Sequence, residues 1–161
     1  MRIAVLGLGR IGAFHARTLA ALDAVDKVLV TDPVDEAVQA AVQTVGAVPF
    51  PSVAELLDAG PDAVVIATPT PTHLDLLRAM IARGVPTFCE KPVAQDPDLA
   101  HDLVGLVEDA GVPVQIGFPR RFDPAFVAAK AELDAGRLGW LTTVRSTTMD
   151  PEQSVPPETG W

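Results

Sequence analysis

Residues 1–12 read Met1-Arg2-Ile3-Ala4-Val5-Leu6-Gly7-Leu8-Gly9-Arg10-Ile11-Gly12. The apolar run from Arg2 to Leu6 predicts a short buried strand, too short for the hydrophobic core of a leader peptide. The glycines that follow have the spacing G-x-G-x-x-G, and a helix is expected from about Ile11 to Ala21. In a strand–turn–helix of this kind each glycine has its own task. Gly7 permits the tight turn, Gly9 lets a pyrophosphate approach the backbone, and Gly12 lets the helix pack close to the sheet. The N–H groups at the start of the helix then face the phosphates. Gly7, Gly9, Arg10, Ile11 and Gly12 are thus candidate cofactor-binding residues.

Reading onward, apolar strand-like runs alternate with helix-forming runs. Strands are expected at Val28–Thr31, near Val48, at Ala63–Ala67, Pro86–Cys89 and Val112–Gly117. Helices are expected at Asp35–Thr44, at Ser52–Leu57 with Ser52 and Glu55 as a capping box, at Pro71–Arg83 and at Pro97–Asp109. The alternation predicts an α/β fold, a doubly wound parallel Rossmann sheet with flanking helices. Continuous apolar strands fit burial on both faces. Asp123-Pro124 then opens a further helix to about Ala135, and Trp140–Thr148, rich in Thr and Val, predicts a strand outside the rhythm. Such a strand needs a partner, either the edge of its own sheet or another chain. The expected organisation is a dinucleotide-binding domain over 1–121, with 122–161 as a linking helix and the start of a second domain.

Composition narrows the function. The chain has 161 residues and a formal net charge of −9, which argues against non-specific nucleic-acid or anionic-membrane binding. Its single cysteine, Cys89, excludes an intrachain disulfide and fits a reducing compartment. No stretch approaches the length of a spanning helix, so a cytoplasmic protein is expected. There is no tyrosine, which excludes dehydrogenases built on a Tyr-x-x-x-Lys pair. His15, His73 and His101 do not have metal-ligand spacing, so no metal site is expected. No G-x-S-x-G elbow or P-loop pattern is present.

Three further stretches carry candidate chemistry. Asp32 follows Gly12 by twenty residues, at the end of the second expected strand. An acid there accepts from ribose hydroxyls and repels a 2′-phosphate, which favours NAD over NADP; Asp-Pro is also a common turn opener. Thr68, Pro69 and Thr70 follow the fourth strand on the cofactor side. Thr72 is a candidate helix cap, and His73 is either structural or a cofactor-side residue. Glu90-Lys91-Pro92 puts Lys91, one of only three lysines, at the carboxyl end of a strand. A lysine there can hydrogen-bond a substrate hydroxyl and help move its proton. Glu90 would orient it or touch the nicotinamide ribose. A plain surface turn is the alternative.

These motifs, with Ala67-Thr68-Pro69-Thr70, His73 and Gly117-Phe118-Pro119-Arg120-Arg121-Phe122-Asp123-Pro124, resemble the Gfo/Idh/MocA oxidoreductases along essentially the whole chain. The Gln115–Asp123 stretch looks most like the inositol dehydrogenase branch. The resemblance implies NAD(P)-dependent oxidation of a cyclitol or sugar hydroxyl to a ketone. It implies Lys91 as the catalytic lysine, Glu90 as a cofactor-side residue and a cis Lys91–Pro92 bond. It also implies that Trp140–Thr148 begins the sheet of a substrate domain through which family members associate. Full members continue further and carry an Asp and a His, downstream of Trp161, that complete the site. Two readings follow. One is the cofactor half of an inositol- or sugar-type dehydrogenase. The other is a stand-alone NAD-binding module that docks a partner or a second copy.

Overall fold

A computed structural model describes residues 1–147. They fall into two compact units, Met1–Phe118 and the residues from Pro119 onward. The first unit holds β1 (Arg2–Leu6), α1 (Arg10–Ala20), β2 (Lys27–Thr31), α2 (Asp35–Val45), β3 (Val48–Pro49), α3 (Val53–Asp58) and β4 (Ala63–Ile66). It continues with a 3-10 turn (Thr70–Thr72), α4 (His73–Ala82), β5 (Thr87–Glu90), α5 (Pro97–Ala110) and β6 (Val114–Gly117). The six strands form one sheet in the order β3-β2-β1-β4-β5-β6, every pairing parallel. The chain runs outward in one direction from β1 and in the other from β4. The carboxyl ends of those two neighbours therefore flank the crevice where such sheets take ligands.

Strand alternation divides the core. Ala4, Leu6, Leu29, Val64, Ile66 and Cys89 pack with Leu56 and Leu57 of α3, Leu77, Met80 and Ile81 of α4, and Leu103 of α5. Ile3, Val5, Val28, Val30 and Val65 face the other way, onto Ala16 of α1 and Val38 and Ala41 of α2. Burial on both faces is why the strands lack the polar alternation of a solvated sheet.

Helix ends follow local chemistry. Ser52 Oγ accepts the Glu55 N–H at 3.2 Å and donates to the Glu55 carboxylate at 3.0 Å. Asp96 accepts the Asp98 N–H at 2.9 Å, with Pro97 in the first turn of α5. Gly46 and Gly111 close α2 and α5 in the left-handed region.

The helix expected from Pro71 is split: residues Thr70–Thr72 form a 3-10 turn and α4 begins at His73. Thr72 does not cap α4. Its hydroxyl donates back to the Pro69 carbonyl at 2.8 Å and pairs with Thr68 Oγ1 at 2.6 Å, which tightens the turn.

In the second unit, residues Pro119–Arg121 form a 3-10 turn and α6 spans Pro124–Asp134. Asp123 caps α6, accepting from the N–H groups of Ala125 and Phe126. The Arg120 guanidinium lies 4.9 Å from the centre of the Phe126 ring. The strand expected over 140–148 is not formed: residues 141–147 are exposed and carry no regular structure, and Thr148 lies outside the described residues. Thr- and Val-rich alternation favours extension, but a strand exists only as part of a ladder, and among the described residues this segment has none.

Candidate functional site

The glycine turn sits at the carboxyl end of β1. The Gly7 N–H donates to the Thr31 carbonyl at 3.0 Å, and the Ala67 N–H donates to Leu6 at 2.9 Å, so three strand ends are laced together. Gly7 has φ +84°, and a Cβ there would lie 2.8 Å from the Ala67 carbonyl oxygen. At Gly12 a Cβ would lie 1.9 Å from the Gly7 carbonyl oxygen, so any side chain would force α1 away from the turn. Gly9 differs from both: a Cβ would meet nothing within 4 Å. The first and third glycines are needed by the protein, and the middle one leaves open space outside the backbone. No side chain caps α1 at Gly9. Its first-turn N–H groups therefore border that space, which fits a diphosphate. Arg10 and Ile11 are exposed at the same end.

Asp32 lies just past β2 and is held on both sides. Its Oδ2 accepts the Leu8 N–H at 2.5 Å and its Oδ1 accepts the Val34 N–H at 2.8 Å. The first bond ties the acid to the glycine turn, and the second closes the turn at Pro33. The turn reading of Asp32 is seen in the Val34 bond. The carboxylate is fixed beside the glycine turn and keeps unused lone pairs.

On the other side of the crevice the Thr68–Thr70 loop follows β4, and the Glu90-Lys91-Pro92 turn follows β5. The Lys91–Pro92 bond is cis. Lys91 is exposed. Glu90 is half-buried and turns away from Lys91: its Oε1 lies 2.7 Å from Nε2 of His15, on α1. The His15 ring stands edge-on to Phe88, with centroids 5.3 Å apart. Gly117 makes this packing possible, because a Cβ there would lie 2.8 Å from the Phe88 ring and 3.3 Å from the Glu90 carboxylate.

His73 is 1% exposed. Its Nδ1 lies 2.8 Å from the Pro92 carbonyl oxygen and its Nε2 2.8 Å from the Thr68 carbonyl oxygen. As a cofactor-side residue it is corrected: both ring nitrogens are committed to backbone, so the ring braces the loop from behind and presents no atom to a ligand.

Beneath Glu90, Cys89 is fully buried; burial first, and then the neighbouring Glu90 charge, pushes its thiol up to about 12. An open cleft of about 530 Å³ runs along the α1 side of the sheet, lined by His15, Leu19, Val65, Phe88 and Gln115. It also touches Ala63 and Thr87, the first residues of β4 and β5, so it runs away from the crevice at the carboxyl ends.

Of the residues singled out from sequence, the crevice gathers the glycine turn and Asp32 on one flank. The Thr68–Thr70 loop and Glu90-Lys91 lie on the other. His15 was missed: a lone histidine inside a helix carries no signal that its partner lies 75 residues away.

The profile of an oxidoreductase family with an NAD-binding Rossmann fold, Gfo/Idh/MocA, matches residues 1–118. A myo-inositol dehydrogenase of Streptomyces leeuwenhoekii is 41% identical over 150 residues, 93% of this chain and 46% of that protein. The inositol 2-dehydrogenase of Rhizobium meliloti is 37% identical, over 98% of this chain and 47% of its own length. Among solved structures, scyllo-inositol dehydrogenase from Lactobacillus casei with bound NAD(H) and scyllo-inositol superposes with a TM-score of 0.80 at 28% identity. That match covers 86% of this chain and 42% of the other. The chain spans about half the length of the curated relatives it matches. No helix among the described residues is long and apolar enough to cross a membrane.

Proposed function

The chain belongs to the Gfo/Idh/MocA oxidoreductase family, and on that premise we propose that it is the dinucleotide half of an NAD-dependent dehydrogenase. The proposed reaction oxidises a ring hydroxyl of an inositol-like polyol to a ketone. The observation that carries the reading is the contrast within the glycine turn: Gly7 and Gly12 are closed by the protein's own backbone, and Gly9 is open. Gly7, Gly9, Arg10, Ile11 and Gly12 would hold the diphosphate through backbone N–H groups. Asp32 would accept from the adenosine ribose hydroxyls. Because backbone N–H groups hold both its oxygens, the carboxylate cannot swing aside for a 2′-phosphate, and NAD is favoured over NADP. Thr68, Pro69, Thr70 and Glu90 would border the nicotinamide end.

When bound, the nicotinamide supplies the hydride acceptor. Lys91 would hydrogen-bond the substrate hydroxyl and take part in moving its proton. The inositol-type substrate is inferred from the relatives, two named for inositol and one for scyllo-inositol.

Calorimetric titration with NAD and NADP tests the reading. NAD binding is expected, with NADP weaker by roughly tenfold or more, about 1.4 kcal/mol. Asp32→Asn should narrow that gap. Failure to bind either nucleotide overturns the reading.

A second reading rests on the exposed apolar side chains from residue 119 onward, among them Phe122 at 68% and Trp140 at 91% exposure. It makes the chain an NAD-binding module that associates through this region with a partner or a second copy. Sedimentation tests the second-copy form. A dimer lost on Trp140→Ser would support it, and a monomer at all concentrations would remove it.

A further inference from the structure

Lys91 is exposed, and among the described residues its ammonium has no hydrogen bond or ion pair. No such bond grips the side chain, so the turn sets the origin and direction from which its flexible stem extends. The turn is held immediately before the lysine through the Glu90 side chain and immediately after it through the Pro92 backbone. Before it, the Glu90 carboxylate accepts from His15 Nε2 at 2.7 Å. After it, the Pro92 carbonyl faces His73 Nδ1 at 2.8 Å. The two histidines come from opposite faces of the sheet, His15 from the α1 side and His73 from the α4 side. Each ring is itself fixed. Phe88 and the space at Gly117 set the His15–Glu90 pair. Burial and the Thr68 carbonyl set His73.

We propose that His15 and His73 are positioning residues that pin the Glu90-Lys91-Pro92 turn from both flanks and so aim Lys91. The proposal rests on the reading of Lys91 as the proton-transfer group. His73 adds a coupling. One ring nitrogen lies against the Pro92 carbonyl and the other against the Thr68 carbonyl, so a single ring spans both segments. The Thr68–Thr70 loop and the lysine turn are then two ends of one brace. Neither histidine reaches a substrate in this scheme; His15 acts through the Glu90 side chain and His73 through the Pro92 backbone.

The test uses the 161-residue chain. Reductive methylation with 13C-formaldehyde keeps lysine charge and gives one methyl signal for each of Lys27, Lys91 and Lys130 beside that of the amino terminus. Lys91→Arg identifies the Lys91 signal. His15→Ala is expected to move the Lys91 signal and leave those of Lys27 and Lys130 in place. His15→Gln, whose amide nitrogen can replace Nε2 as donor, should return it toward wild type. His73→Asn is too short to span both carbonyls and should also move it. That site is buried, so His73→Asn counts only if its thermal melt stays cooperative, and the half-exposed His15 pair decides otherwise. A Lys91 signal unmoved in folded His15→Ala overturns the proposal, as does equal movement of all three lysines. NAD titration of the wild type is read separately. Loss of NAD binding strikes the proposed function, whereas a Lys91 signal indifferent to His15 strikes only the anchors.

Discussion

Residues 1–118 and 119–147 use the same local grammar and reach different ends. Both open helices with an Asp cap followed by proline, at Asp96-Pro97 and at Asp123-Pro124. In the first unit the apolar side chains close into two clusters around the sheet. In the second, α6 forms with its cap, its Lys130–Asp134 pair and the neighbouring Arg137–Glu132 pair, yet none of its residues is buried. Phe126, Val127 and Leu133 stay exposed among the described residues. Local signals suffice to start and stop a helix. A core needs strands that bring distant apolar runs to the same faces.

The sharpest way to break that comparison is to empty the core on one side and do the same on the other. Leu77→Ala should cost about 2–5 kcal/mol in urea unfolding followed by circular dichroism, since Leu77 is fully buried. Leu133→Ala should stay within about 0.5 kcal/mol. Equal costs would mean that the two regions are not different in kind.

Next in size is the glycine turn. Gly12→Ala should destabilise by about 1–3 kcal/mol, because the clash with the Gly7 carbonyl outweighs the helix propensity that alanine gains. Gly9→Ala should leave the melt unchanged and weaken only the nucleotide. A stable Gly12→Ala protein would remove the close-packing argument.

Smaller still is the cap of α6. Asp123→Ala should lower helix content, a local loss of about 1 kcal/mol, while the denaturation midpoint of the sheet unit holds. A shift in that midpoint would join the two regions energetically.

The smallest effect is a slope. Cys89 has its folded value raised to about 12 from an ordinary value near 9. Its contribution is therefore intact below pH 9 and declines as pH climbs from 9 towards 12, because the unfolded thiol ionises first. Cys89→Ala should flatten stability against pH in that window. Native Cys89 should resist a disulfide reagent at pH 8 and react at once in urea.

Why the sheet was legible and parts of the site were not has a physical basis. Apolar runs ending at Gly7, Asp32 and Glu90 mark strands because burial on both faces favours apolar side chains, with Thr31 and Thr87 the buried polar exceptions in β2 and β5. Boundaries shifted by a residue or two at ends where backbone bonding alone decides. Over residues 140–147 the expected strand is not formed, because β-propensity describes a residue's comfort in a ladder and cannot supply the ladder. Asp32, Lys91 and the glycines were legible because strand ends and turns place them. His15 and the brace made by His73 were not, since each depends on a contact between elements that the sheet order alone brings together.

The exposed Trp140 has a practical consequence. The chain contains no tyrosine, and its two tryptophans, Trp140 and Trp161, both follow residue 118. The whole sheet unit is thus optically dark at tryptophan wavelengths. Intrinsic tryptophan fluorescence therefore contains no emitter from the sheet unit itself. An unchanged emission spectrum on adding NAD is then no sign of an empty crevice. A tryptophan placed at the exposed Phe14 of α1, beside the glycine turn, would give the sheet unit a voice of its own.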